Sequence, residues 1–207
     1  MDMYQPHYNL TTTFETDGIS GATANDVSGI AVGYEQTASN FIGEVLIVCP
    51  SYWMSSAFTA PGTAAYHYQY SVPLAGHTED TYAYLGPYKA NQGPELAAAF
   101  AGMLANFVRS GDPSISSALA NGPSAEDPLA NNPASRWPVW REERPVQINM
   151  NTTGGTPIRF THSWGTGIEF VGPGLRNRFT EVDAMAWEGG RGNRCEFLRQ
   201  LAPLLRP

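Results

Sequence analysis

One histidine in this chain has neighbours suited to chemistry. His77 follows Gly76 and precedes Thr78, Glu79 and Asp80, just after the run Tyr66-His67-Tyr68-Gln69-Tyr70-Ser71-Val72-Pro73. That run alternates and is rich in aromatic residues, so it reads as a β-strand. An imidazole on the loop that leaves a strand can take a proton from a hydroxyl nucleophile and later return it to the leaving group. Glu79 and Asp80 are candidates to support that loop. His7, His67 and His162 lack comparable surroundings, and His67, inside the strand, reads as a packing or edge residue. The nucleophile itself is missing. No G-x-S-x-G string occurs; the nearest, Gly18-Ile19-Ser20-Gly21, has the wrong spacing and sits among turn residues. Glu15-Thr16-Asp17-Gly18 could mimic an acid loop but reads as a solvated turn. Gly189-Gly190-Arg191-Gly192 lacks the strand–helix context of a phosphate loop. Trp137 and Trp140 could form a sugar-stacking surface, although aromatic anchors that pack a loop against the body are the plainer reading. The chemistry visible here is half of an active site.

The elements that must carry it follow from periodicity. The spacing predicts a helix from about Thr37 to Phe58, with Phe41, Val45, Val48, Trp53 and Ala57 on one side and an interruption at Pro50. Residues 66–72 are a strand and residues 147–151 a short second one. Leu96, Phe100, Met103, Leu104, Phe107 and Val108 recur at helical spacing over 94–110, and Gly111 ends that helix. Residues 112–138 read as a long surface loop. Residues 194–205 form an amphipathic helix with Leu198, Leu201, Leu204 and Leu205 inward. The first 35 residues lack an apolar period and read as poorly ordered. This is α/β in character, yet two strands do not make a stable sheet, so the expectation is an incomplete sheet covered by helices.

Bulk properties narrow the class. Of 207 residues, 42% are hydrophobic and 15% charged, enough for a core. The net charge of −7 argues against nucleic acid and anionic membranes as main partners. The apolar run Val45–Pro50 is far too short to span a bilayer, and residues 1–20 carry no secretory leader pattern. Cys49 and Cys195 are either two buried reduced thiols or a long-range disulfide; two cysteines and scattered histidines do not assemble a structural zinc site. Asn9-Leu10-Thr11 and Asn151-Thr152-Thr153 are glycosylation sequons and lean towards secretion.

Taken in order, several stretches resemble the type B carboxylesterase and lipase family, the cholinesterase-like α/β-hydrolases. They are Val48-Cys49-Pro50-Ser51-Tyr52-Trp53-Met54, the strand at 66–72, the His77 loop ending at Gly86-Pro87, Asn106-Phe107-Val108-Arg109-Ser110-Gly111-Asp112-Pro113, Trp137-Pro138 and Arg194-Cys195-Glu196-Phe197. Segments similar to Gly172-Pro173-Gly174-Leu175-Arg176-Asn177 and Trp187-Glu188-Gly189-Gly190-Arg191 occur in secreted fungal members. The resemblance runs from about residue 30 to the end and is carried by the ordered set, not by any one motif.

The resemblance implies the C-terminal portion of an α/β-hydrolase fold over 36–207 and a serine esterase or lipase that acts on small-molecule or lipid carboxylic esters. It implies no cofactor and a secreted, glycosylated parent. His77 matches the catalytic histidine, Asp80 an acidic residue that supports the loop, and Cys49 and Cys195 a pair that forms a disulfide. Thr78 departs from the pattern: the family usually has glycine there, and a β-branched residue resists positive φ. The serine, the oxyanion donors and the acid of the triad all precede His77 in this fold. None is recognised here, and loss of the oxyanion donors alone is worth roughly 3–4 kcal/mol at the transition state. The expectation is a chain inactive by itself. Two other classes stay open: a non-catalytic esterase-like protein-binding surface, and a secreted carbohydrate-binding module using Trp137, Trp140 and Trp164.

Overall fold

The computed structural model describes residues 33–73, 76–162 and 165–201. Asn9, Ser20, Trp164, Leu204 and Leu205, and most of the segment 1–35, lie outside the described residues.

A three-stranded mixed sheet, ordered β1-β2-β3, forms the middle layer. Strand β1, Tyr68–Tyr70, runs parallel to β2, Val146–His162, with Tyr68 opposite Ile148 and Tyr70 opposite Met150. Strand β3, Gly165–Asp183, runs antiparallel to β2 from Val146 opposite Asp183 to His162 opposite Gly165, with an irregularity between Gly154 and Thr156. Alternation along the strands sorts side chains to two faces. Ile148 and Met150 join Leu96, Ala99, Phe100 and Met103 in one core, and Tyr68 and Tyr70 meet the Phe100 ring edge-on. Gln147 and Gln69 point the other way. Gln147 donates to the Tyr52 hydroxyl, and Gln69 accepts from Arg191. Helices therefore cover both faces of the parallel pair, as parallel ladders require.

On the first face lie α3, Thr81–Leu85, α4, Gly93–Ser110, and α5, Ser117–Asn121. The predicted stop of α4 is present: Gly111 is left-handed at φ +74 and its N–H caps the Phe107 carbonyl. Leu96, Phe100 and Met103 face inward, whereas Leu104, Phe107 and Val108 are exposed. The stretch 112–138 is more than a surface loop. It contains α5 and a 3₁₀ turn at Pro133–Arg136, and it buries Ile115, Ala120, Ala134 and Trp137 in the same core.

On the second face lie α2, Cys49–Ala57, and α6, Trp187–Leu201, and α1, Gly33–Gly43, precedes α2 in the chain. The expected single helix over 37–58 is α1 and α2 joined by a π-helical turn at Glu44–Val48. Pro50 explains the turn: it has no N–H to donate and crowds the carbonyl four residues back, so the helix widens there. The extra residue rotates the helix face. Glu44, Cys49, Tyr52 and Ser55 are buried, while Phe41 is exposed and Trp53 only partly covered. This replaces the predicted Phe41–Val45–Val48–Trp53–Ala57 side. Helix α6 begins seven residues before the predicted start at Arg194 and contains Gly190 and Arg191 in its first turns. The expectation of a two-strand sheet is also corrected, because β3 supplies a third strand.

Cys49 and Cys195 are disulfide-bonded, with their Cα atoms 5.0 Å apart, and pack with Tyr52, Trp140 and Ala184 in a second core. Beside the bridge, Glu44 receives Arg194 at 2.6 and 2.9 Å and Arg191 at 3.2 Å, and Arg191 also pairs with Glu188. All four side chains are almost fully buried. Burial alone would raise the Glu44 carboxyl, but the two guanidiniums win and hold it below its ordinary range. Among the described residues no helix is long and apolar enough to cross a membrane.

Closing a loop of 146 residues, the sequence separation of the two cysteines, is worth about 5 kcal/mol by chain entropy. Cys195→Ser should therefore lower the urea midpoint substantially. A dithiol reductant should reproduce that loss in the parent and add nothing to the variant.

Candidate functional site

His77 lies on the loop that leaves the carboxyl end of β1, and its side chain is exposed. Among the described residues it has no hydrogen bond or ion pair. The turn beneath it is built by the chain itself. Glu79 N–H donates to the Gly76 carbonyl at 3.2 Å, and Thr81 N–H and Oγ1 donate to the Thr78 carbonyl at 3.1 and 2.6 Å. Thr78 sits at φ +67. This is the left-handed region, which favours glycine, and the chain adopts it with a β-branched residue in place.

The two acids after His77 are engaged by other partners. Lys89 Nζ lies 2.7 and 2.5 Å from the two carboxylate oxygens of Glu79 and rests 4.6 Å over the Tyr82 ring. Asp80 accepts from the Tyr68 hydroxyl at 2.6 Å. Burial, together with the charge and hydrogen bonds around it, pushes the Tyr68 phenol far above its usual range, so it stays a donor at any working pH. Glu79 and Asp80 thus support the loop, and neither is positioned as a carboxylate that orients His77. No serine hydroxyl among the described residues reaches the imidazole.

A second histidine makes the contacts that sequence reasoning did not foresee. His67 Nε2 lies 2.9 Å from Ser51 Oγ, and the ring meets Tyr52 edge-on and Trp140 at a tilt, at centroid separations of 5.0 and 5.2 Å. The pair is structural. Ser51 Oγ donates to the Val48 carbonyl at 2.7 Å within its own helix, which leaves it no proton to give. Burial drives the His67 imidazole down to about 4, with the Gln147 amide opposing and the Arg191 charge reinforcing the shift. Such a ring is neutral, and it is partly buried. The reading of His67 as a packing residue therefore stands, with Ser51 as its partner.

The remaining candidates separate. Trp137 and Trp140 are 7% and 3% exposed, and their indole N–H groups donate to the His67 carbonyl and to Ser56 Oγ. They are anchors, and their faces are not open to a sugar. Asn151 is 8% exposed within β2, and its Oδ1 accepts from Thr152 N–H, so a glycan there would require this side chain to leave the interior. Arg191, in the glycine-rich string, serves Glu44 and Gln69 instead of a phosphate. A cavity of about 580 Å³ opens between α2 and α6 beside the disulfide, lined by Trp53, Trp140, Met185 and Arg199. It contains none of the His77 loop and is a cleft between helices, not a site around the imidazole. Glu44 was legible in principle: a lone acid within Phe41-Ile42-Gly43-Glu44-Val45-Leu46 predicts a buried partner.

No protein-family model, curated protein or solved structure matches the chain.

Relieving the left-handed strain should show directly. Thr78→Gly is expected to stabilise the chain by up to about 1 kcal/mol, the αL penalty less the added freedom of the unfolded glycine. Thr78→Ala should leave urea stability nearly unchanged. His67 sets an acid limit. Its folded value near 4 lies below the ordinary 6.5, so the unfolded chain takes up the proton first. Stability is then full above about pH 6.5 and drains as pH falls towards 4, by up to about 3 kcal/mol. In His67→Gln the fall in urea midpoint between pH 7 and 4.5 should be markedly smaller than in the parent.

Proposed function

We propose that this chain is the histidine-bearing portion of a serine carboxylic ester hydrolase of α/β-hydrolase type. The observation that carries the reading is the position of His77. It presents an exposed imidazole on the loop at the carboxyl end of β1, beside a parallel partner strand and between helical layers. Open α/β sheets place their chemistry at that edge. The loop stands on Tyr68 and Lys89, as a proton-transfer group needs. The exposed Tyr82 and Leu85 on the following helix offer an apolar surface suited to an acyl or alkyl group.

In this reading the His77 imidazole accepts the proton of a serine hydroxyl as its oxygen attacks the ester carbonyl. The proton then passes to the departing alkoxide, giving alcohol and an acyl-serine. Water repeats the exchange: His77 takes its proton, the hydroxide adds to the acyl carbon, and the serine oxygen leaves with the proton returned. The serine, the oxyanion donors and the orienting carboxylate come from polypeptide outside these 207 residues. Glu79 and Asp80 are already engaged by Lys89 and Tyr68. The disulfide supports passage through an oxidising compartment.

The 207-residue chain should give no turnover of p-nitrophenyl esters above buffer. Joined to a serine-bearing portion of the same sheet, it should hydrolyse them, and His77→Ala should reduce kcat by on the order of 10³-fold or more. Turnover by the chain alone that His77→Ala abolishes would show that the nucleophile lies within these residues. Full activity of the joined protein carrying H77A would sink the role given to the imidazole.

A further inference from the structure

We propose that Gln92 is the positioning residue of the His77 loop, fixing its main chain to the sheet. The proposal rests on the reading of His77 as the proton-carrying group. Gln92 is 1% exposed, unusual for its type. A primary amide persists in an interior where its donors and acceptor are all matched. Here they are. Nε2 donates to the Glu79 carbonyl at 2.8 Å and to the Tyr70 hydroxyl at 3.0 Å, while Oε1 accepts from Lys89 N–H at 2.9 Å. One side chain thus ties together the residue two beyond His77, the last residue of β1 and the segment that enters α4.

The loop requires such a tie. Thr78 is held at φ +67, and a left-handed β-branched residue persists only where its surroundings over-determine it. The bonds of Gly76, Thr78, Glu79 and Thr81 among themselves shape the turn but give it no attachment to the sheet. The Glu79–Lys89 pair is partly solvated and screened. The Tyr68–Asp80 bond holds a side chain. Gln92 grips the Glu79 carbonyl from a fully buried base, and its buried neighbour Asn91 donates to the Pro73 carbonyl at 3.2 Å on the other side of His77.

The test uses the 207-residue chain and reads two quantities by NMR: amide hydrogen exchange, and the His77 ring Hε1 signal, assigned by its loss in His77→Gln. Gln92→Met should raise exchange at Glu79 and Thr81 by about tenfold or more and move the His77 signal, while Phe100 and Met103 within α4 change less than about twofold. Gln92→Ala removes both donors and the acceptor without adding bulk and should act in the same loop-selective way; it decides the matter if the methionine variant does not fold. Loop and core amides accelerating together would overturn the proposal, since Gln92 would then be an ordinary core residue. An unchanged loop would overturn it as well. Neither measurement involves an ester, so failure here is distinct from failure of the hydrolase reading in the joined-chain assay.

Discussion

A buried carboxylate between two guanidiniums governs how this chain is assembled. Glu44 lies in the π-helical turn between α1 and α2, and Arg191 and Arg194 lie on α6, about 150 residues later. Buried charges are expensive, and such a cluster adds little net stability over an apolar equivalent. Its effect is selective, because any arrangement that leaves one of these charges without its partners pays the full desolvation cost. The cluster therefore sets the register of α6 against the π turn. Arg191 extends the constraint to the sheet through Gln69 in β1. The line of force runs from disulfide to α6, from α6 to β1, and from β1 to the loop that carries His77.

That loop is secured from the opposite face. Tyr68 and Tyr70 project from β1 towards α4, where their rings meet Phe100 and their hydroxyls engage Asp80 and Gln92. The strand is only three residues long, yet each side chain on both its faces has a partner in a different layer. A short strand suffices because its side chains, not its ladder, do the holding. The imidazole stands at the end of this arrangement without a partner among the described residues.

How much of this the sequence disclosed depends on the kind of signal. Helix α4 was legible because Leu96, Phe100 and Met103 repeat at 3.6 and Gly111 permits the left-handed cap. Strand β1 was legible from its alternating aromatics. Strand β3 was not: glycines at 165, 167, 172 and 174 and Pro173 disfavour a strand by propensity, and the strand exists through its pairing with β2. Much of that hairpin is solvated at Thr156, Pro157, Ile158 and Arg159, so no burial pattern marks it. The π turn likewise escaped, since one extra residue shifts every later position of the helix face. At the site, His77 and its two acids were visible in a single stretch, whereas Gln92 and the Ser51–His67 pair depend on contacts between distant segments. Thr78 combines the two cases: the resemblance drew attention to the position, and only the backbone discloses that threonine adopts a left-handed conformation that favours glycine.

Lys89, which neutralises Glu79 beneath the His77 turn, is the only lysine in the chain. The bond that follows it lies between Cys49 and Cys195 in sequence. Cleavage by a lysine-specific endopeptidase would split the polypeptide in two beside the His77 loop, yet the halves would travel as one species through gel filtration and part only after the cystine is reduced.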